Sequence, residues 1–81
     1  YPFVEIEWSD IEGDAGWSDT KALNKEKLPV CVSKGYLVSQ QNGVTRIFTD
    51  YIKTKDKPTF DSIGNTTIIP TSVIQSIKKL S

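Results

Sequence analysis

The chain of 81 residues contains no histidine and only one cysteine. Many catalytic and metal-binding mechanisms are therefore excluded. Histidine is the commonest general base and metal ligand. Cys31 cannot form an internal disulfide, and its position between Val30 and Val32, without a candidate base, indicates a buried, inert thiol in a reducing compartment. Carboxylate pairs of the glycosidase kind need an enclosing cleft that so short a chain seldom builds. We therefore expect no enzyme, no cofactor and no metal site.

Long apolar runs are also absent. No stretch approaches the roughly 18 to 20 consecutive apolar residues that span a bilayer, and the first residues lack the basic and then apolar pattern of a signal peptide. The composition, 37% hydrophobic and 25% charged, is that of an ordinary globular domain. We expect one small domain over residues 1–81 that neither enters a membrane nor is secreted.

The net charge is zero, but the charges are segregated along the chain. Residues 1–20 carry six acidic residues and no basic one, whereas the remaining 61 hold all ten basic residues against four acidic ones. One interpretation is that the acidic strip lies beside lysine-bearing elements and the charges complement each other on one surface. The other is that the acidic strip faces a basic partner.

The alternation of apolar and polar residues predicts several strands. Val4, Ile6 and Trp8 alternate with acidic residues, which predicts a strand over residues 3–9. Residues 28–40 and 44–52 are rich in β-branched and aromatic residues, and Asn42-Gly43 between them predicts a tight hairpin turn. A short strand is expected at 66–70. The residues expected to share one core are Val4, Ile6, Trp8, Leu37, Ile47, Ile68 and Ile77.

The segments between these strands are less regular. Ser18 or Asp19 is expected to cap a short helical turn through Leu23, with Trp17 packing as a hydrophobic staple. Residues 53–65 are polar and interrupted by Pro and Gly, which predicts a long hairpin loop with Phe60 and Ile63 packed back onto the core.

Residues 71–80 fit either a helical face or a strand. We prefer a turn at Thr71–Val73 followed by a closing strand, because four strands alone would leave edges exposed in so small a domain. The predicted fold is therefore mainly β, a small five-stranded SH3-like barrel with a short helical or 3₁₀ turn.

Four features together resemble a group of short phage and prophage proteins of uncharacterised function, and they extend over nearly the whole chain. The features are Trp8, Gly16-Trp17, the run CVSKGYLV at 31–38 and the run IPTSVIQSIKKL at 69–80. The resemblance implies a phage or mobile-element origin and action in the cytoplasm of a bacterial host. It brings no catalytic or binding residue to this chain.

The tripeptide Trp-Ser-Asp occurs twice, with an acidic stretch between the copies. Asp10, Glu12 and Asp14 match the first alternate ligands of an EF-hand-like loop, but Ala15 stands where the turn needs glycine and Lys21 where a bidentate glutamate completes the coordination. A solvated acidic loop is therefore favoured over a cation site. Trp8 continues the apolar alternation and is expected in the core.

Two binding functions remain. The first is capture of a bacterial host protein through aromatic residues flanked by acids, the usual anatomy of an interface hot spot. The residues proposed for it are Trp17, Tyr36, Tyr51, Asp10, Glu12 and Asp14. The alternative is a nucleic-acid surface, because Lys53, Lys55 and Lys57 lie near Phe60, and basic residues with interleaved aromatics track phosphates and stack on bases. Pairing of the acidic face with the lysine-rich loop of a second copy is a further possibility.

Overall fold

The computed structural model describes residues 1–11, 13 and 15–81, and it contains one antiparallel sheet of five strands in the order β4-β3-β2-β1-β5. The strands are β1 (Phe3–Ser9), β2 (Val30–Gln41), β3 (Val44–Thr54), β4 (Lys57–Pro70) and β5 (Ile74–Lys79). A short helix, α1 (Thr20–Leu23), and a 3₁₀ turn (Thr71–Val73) complete the secondary structure of the described residues. The expected mainly β class with five strands is confirmed.

Three local predictions are confirmed at the residues named for them. β1 covers the expected residues 3–9. The 3₁₀ turn at Thr71–Val73 is followed by a strand, and β5 pairs with β1 rather than forming a helix. Asn42 and Gly43 join β2 to β3 with φ of 55° and 77°, the positive values that a two-residue turn of type I′ requires.

The prediction of a long loop over residues 53–65 is wrong. β3 continues to Thr54 and β4 begins at Lys57, so Lys55 and Asp56, with φ of 50° and 65°, form a second two-residue turn. Pro58 does not interrupt the pairing because β4 is an edge strand, where a missing N–H can face away from the ladder. A polar, proline-containing sequence is therefore compatible with a solvated hairpin.

The helix cap is confirmed, whereas the hydrophobic staple is not. Asp19 is the N-cap of α1, and its Oδ1 accepts a hydrogen bond from the Ala22 backbone N–H at 2.7 Å. This bond satisfies one of the amides that a helix start leaves without a partner. Trp17 is fully exposed, so it does not act as a buried staple for α1.

One side of the sheet carries the aliphatic core. Its buried residues are Val4, Ile6, Ile47 and Ile69, with Trp8, Leu37, Val73 and Ile74 packed against them. The prediction that Ile68 lies in the core is wrong, because Ile68 is 61% exposed whereas its neighbour Ile69 is 2% exposed. Successive strand residues point to opposite faces, and the register opposite β3 turns Ile69 inward. Ile77 pairs with Ile6 but stays partly exposed because β5 is the other edge strand.

β2 changes partners near Gly35. Its first half, up to Tyr36, pairs with β1, and its second half, from Tyr36, pairs with β3. A Cβ at residue 35 would lie 2.9 Å from the Phe48 carbonyl oxygen, closer than real Cβ atoms come. Position 35 therefore requires glycine, because the backbone of β3 approaches β2 too closely there for a side chain.

β3 and β4 extend well beyond the rest of the sheet. The β2–β3 pairing ends at Phe48, so residues 49–65, called here the hairpin arm, form a two-stranded ribbon. The molecule is accordingly elongated, with extents of 60 × 23 × 23 Å. Its radius of gyration is 16.9 Å, against about 12 Å for a compact domain of this length. An arm of this kind exposes side chains that a globular core would cover.

The sheet is strongly curled but open. Pro70 ends β4 at one edge and Ile74 begins β5 at the other. Four residues of chain span at most about 14 Å, whereas a flat sheet of five strands separates its edges by about 19 Å. Within the described residues no ladder joins β4 to β5, so closure into a barrel is not shown. No helix in the described part of the chain has the length and apolarity to cross a membrane.

Candidate binding surface

All three tyrosines and all three phenylalanines of the chain meet in one group, called here the aromatic cluster. Its members are Tyr1, Phe3, Tyr36, Phe48, Tyr51 and Phe60. Neighbouring ring centroids are 5.0 to 5.8 Å apart, and four of the seven contacts are edge-on. Such pairs contribute about 0.5–1.5 kcal/mol each beyond the area they bury. The cluster is thus a second apolar centre.

Three of these rings are placed by the regular ladder. Phe3 of β1 is directly opposite Tyr36 of β2, and Tyr36 is opposite Phe48 of β3. Phe3 alternates out of phase with Val4 and therefore lies on the face opposite the aliphatic core. The row of rings across β1, β2 and β3 accordingly covers the second face of the sheet.

The other rings come from the chain start and the hairpin arm. The β3–β4 register shifts between Tyr51, opposite Ile63, and Ile52, opposite Thr59, which leaves residues 60–62 of β4 without partners. This bulge allows Phe60 to reach Tyr51 at 5.4 Å, Phe48 at 5.7 Å and Tyr1 at 5.0 Å. Bulges re-aim side chains in this way.

The cluster has a buried centre and an exposed rim. Phe48 is 1% exposed, whereas Tyr51 and Phe60 are 41% and 40% exposed. Because the rings contact each other directly, they leave no gap for a cation between them, which argues against a methylammonium cage. The exposed rim instead presents parts of the Tyr51 and Phe60 rings to solvent.

The structure brings together two of the residues expected to bind a host protein and separates others. Tyr36 and Tyr51 are in edge-on contact at 5.8 Å. Asp10 follows the far end of β1, and its N–H bonds the Pro29 carbonyl. Phe3 and Ser9 at the two ends of β1 are about 20 Å apart at a strand rise of about 3.4 Å per residue. Asp10 therefore follows the end of β1 that is opposite to Phe3 of the cluster.

Of the remaining residues of that predicted site, the structure describes Trp17 alone. Trp17 is exposed in the connection between β1 and α1 and makes no ring contact within the part of the chain that is described. Glu12 and Asp14 lie outside the described residues. Among the residues that are described, no group of three His, Cys, Asp or Glu is arranged to hold a metal ion.

One residue of the acidic strip, Glu5, lies between lysines of the neighbouring strands. Glu5 of β1 lies between Lys34 of β2 and Lys78 of β5 in the register. Its carboxylate is 3.9 Å from the Lys34 ammonium, a solvent-screened ion pair of small energetic value. Complementary charges on adjacent strands explain this part of the acidic strip without a partner.

The alternative site lies on the hairpin arm. Lys53, Lys55 and Lys57 are exposed around the second two-residue turn, with the Lys53 ammonium 4.0 Å from the Asp56 carboxylate. Phe60, the fourth residue of that prediction, belongs to the aromatic cluster through Tyr51. Phe60 therefore connects the lysine-bearing arm to the aromatic part of the first predicted site.

Sequence reasoning missed Tyr1, Phe3 and Phe48 as members of this surface. The signal was available for Phe3, because it alternates out of phase with the apolar face of β1 and an outward phenylalanine indicates a second apolar surface. Comparisons with models of known protein families, with curated proteins and with solved structures found no match to this chain.

Proposed function

We propose that this protein is a non-catalytic accessory protein of phage type that binds a bacterial protein in the host cytoplasm. The binding surface is the exposed rim of the aromatic cluster, centred on Tyr36, Tyr51 and Phe60. The resemblance to short phage and prophage proteins supports a bacterial partner. The proposal narrows the predicted aromatic and acidic surface to its aromatic part, because Asp10 lies at the far end of β1.

One observation carries the proposal: half-exposed aromatic rings surround a buried one. Tyr51 and Phe60 remain about two-fifths exposed while Phe48 beneath them is buried. Rigid aromatic side chains anchored on a packed base are the residue types that dominate binding energy in protein interfaces. Asp50, Asp61 and the arm lysines are exposed on the same arm as Tyr51 and Phe60 and supply charges of both signs near the rings.

The test compares two single substitutions that remove an aromatic ring. A protein captured from bacterial lysate by the wild-type chain and then purified should bind Tyr51→Ala at least about 30-fold more weakly, the size of a hot-spot loss. Trp17→Ala is the matched control, since it removes a larger ring that is fully exposed. Circular dichroism and thermal unfolding verify that both variants are folded.

The two variants also discriminate between the predicted surfaces. Equal binding by wild type and Tyr51→Ala would contradict the proposal. Loss of binding in Trp17→Ala and Asp10→Lys, with Tyr51→Ala unaffected, would assign the interface to the acidic segment instead.

Nucleic-acid binding is the second candidate, favoured by the position of the lysines. Lys53, Lys55 and Lys57 lie at the tip of the hairpin arm, next to aromatic rings on which bases can stack. Asp50, Asp56 and Asp61 on the same arm cancel this positive charge, which is why protein binding is preferred.

Salt dependence decides between these candidates. Binding to a single-stranded oligonucleotide should weaken with a log–log slope of about −0.7 per phosphate contacted, and Lys55→Glu should weaken it further. Binding that persists unchanged in high salt would exclude a phosphate-tracking surface.

For the fold, the proposal is an SH3-like small barrel. The support is the curl of the sheet and the packing of Ile69 of β4 in one cluster with Val4 and Ile6 of β1, although two strands separate β4 from β1 in the sheet. Nuclear Overhauser contacts between β4 and β5 backbones would support closure. Their absence, with the β1–β5 contacts present, would leave an open sheet.

A further inference from the structure

A second apolar surface lies beside the aromatic cluster. A groove of about 220 Å³ opens over β2, β3 and β4, lined by Val38, Arg46, Ile47, Ile63, Thr66, Thr67 and Ile68. Ile68, Ile63 and Val38 are all exposed. Arg46 and Phe48 are alternate residues of β3 and share a face of the sheet, so the Arg46 side of the groove adjoins the aromatic cluster.

Arg46 is the only arginine of the chain, and no described carboxylate neutralises its charge. It is half-buried and forms no ion pair and no side-chain hydrogen bond with any residue in the described ranges. No carboxylate lines the groove. A guanidinium presents parallel N–H donors that match a carboxylate, and partial burial among aliphatic side chains strengthens such a pair.

The groove also lies along a free strand edge. β4 is an edge strand, and its segment from Thr66 to Ile69 is regularly paired to β3 on one side only. Asn65, with φ of 50°, and Pro70 bound this segment. In the open sheet no described strand pairs with the outer backbone groups between them, so an added extended strand of about four residues fits there by β-augmentation. Closure of β4 onto β5 would occupy the same groups.

We infer that this groove binds an extended peptide segment of the partner protein, in which an aspartate or glutamate pairs with Arg46 and adjacent aliphatic side chains contact Val38, Ile63 and Ile68. The inference rests on the proposed function and specifies the chemistry of the partner. Charge complementarity selects an acidic residue, and the apolar walls select aliphatic neighbours rather than a sugar-phosphate backbone, whose recognition uses several cations.

The experiment is a selection of random linear 12-residue peptides displayed on phage against the full-length protein. Enriched peptides should share an acidic residue within two positions of Val, Ile or Leu. Their affinity should fall about tenfold or more in Arg46→Ala, because a charge-assisted bidentate pair is lost. Selection against Arg46→Glu should lose the acidic preference, and Arg46→Lys should retain it at lower affinity. Lys25→Glu, an exposed residue in a connecting segment, is the control for the change in net charge.

Three outcomes would overturn the inference. The first is a failed selection: no peptide is enriched, the enriched peptides show no preference for an acidic residue, or their affinity does not depend on Arg46. Another is self-association of the wild-type chain that Arg46→Glu abolishes, which would assign the groove to a second copy. The third is oligonucleotide binding that depends on Arg46. If host-protein capture depends on Tyr51 while Arg46→Glu changes nothing, the proposed function stands and this inference alone fails.

Discussion

Gly35 and Phe48 are in closer contact than any other residue type at position 35 would permit. The Phe48 carbonyl oxygen lies 2.9 Å from the site of a Cβ on residue 35, and atoms of Ile47 lie 3.2 and 3.3 Å from it. The obstruction is backbone, which cannot move without disturbing the β2–β3 ladder. At this contact β2 changes its pairing partner from β1 to β3. The same contact positions Phe48 at the buried centre of the aromatic cluster.

Gly35→Ala is therefore expected to destabilise the protein by about 1–3 kcal/mol, the usual cost of forcing extra atoms into a packed site. Urea unfolding followed by tryptophan fluorescence measures the change. Gly64→Ala is the matched control, because a Cβ at residue 64 would make ordinary contact with Asp50 at 3.5 Å. Equal stability of the two variants would show that the strands can separate at Gly35 without cost.

The adjacent isoleucines of β4 provide a second comparison. Ile69→Ala should lower the free energy of unfolding by about 2–5 kcal/mol, since Ile69 is fully packed among Val4, Ile6 and Ile47. Ile68→Ala removes the same atoms from an exposed position and should cost less than about 1 kcal/mol. Thermal unfolding of both variants checks the register of β4, because a one-residue slip would reverse the order.

Short-range features of this fold were predictable from sequence, whereas the aromatic surface was not. The alternation around Ile6 and the Asn42-Gly43 pair each specify their structure within a few residues, whereas the pattern of residues 71–80 fits a helix as well as the strand that forms. Ile68 and Ile69 are chemically identical, so only pairing with β3 decides which is buried. Phe60 reaches the cluster through an irregular bulge in β4, which no local pattern predicts.

A glycine substitution should stabilise the turn at the tip of the hairpin arm. Lys55 and Asp56 both adopt positive φ, a conformation that costs ordinary residues about 1–2 kcal/mol and glycine little. Asp56→Gly should therefore slow amide hydrogen exchange in residues 52–59. Asp50→Gly, at an extended position of the same arm, should accelerate it instead. Faster exchange in Asp56→Gly would show that the arm does not hold this turn.

A hydrogen bond between a buried and an exposed threonine links the core to the turn that redirects the chain from β4 to β5. Thr45 is fully buried, and its Oγ1 lies 2.9 Å from the Thr71 Oγ1 and accepts a bond from Gln40 Nε2 at 3.3 Å. Thr71 also donates its backbone N–H to the Gly43 carbonyl at 3.0 Å, so the 3₁₀ turn is fixed against the first hairpin at two points.

Thr45→Val keeps the volume and removes one of these two points. The expected loss of stability is about 0.5–1.5 kcal/mol, the net value of a hydrogen bond, because Thr71 is exposed and can bond to water instead. Amide exchange in residues 71–77 should accelerate more than in β1. Thr67→Val, at an exposed position of β4, is the control and should leave both measurements unchanged. Uniform acceleration in Thr45→Val would mean that the hydroxyl pair supports the whole sheet rather than the turn into β5.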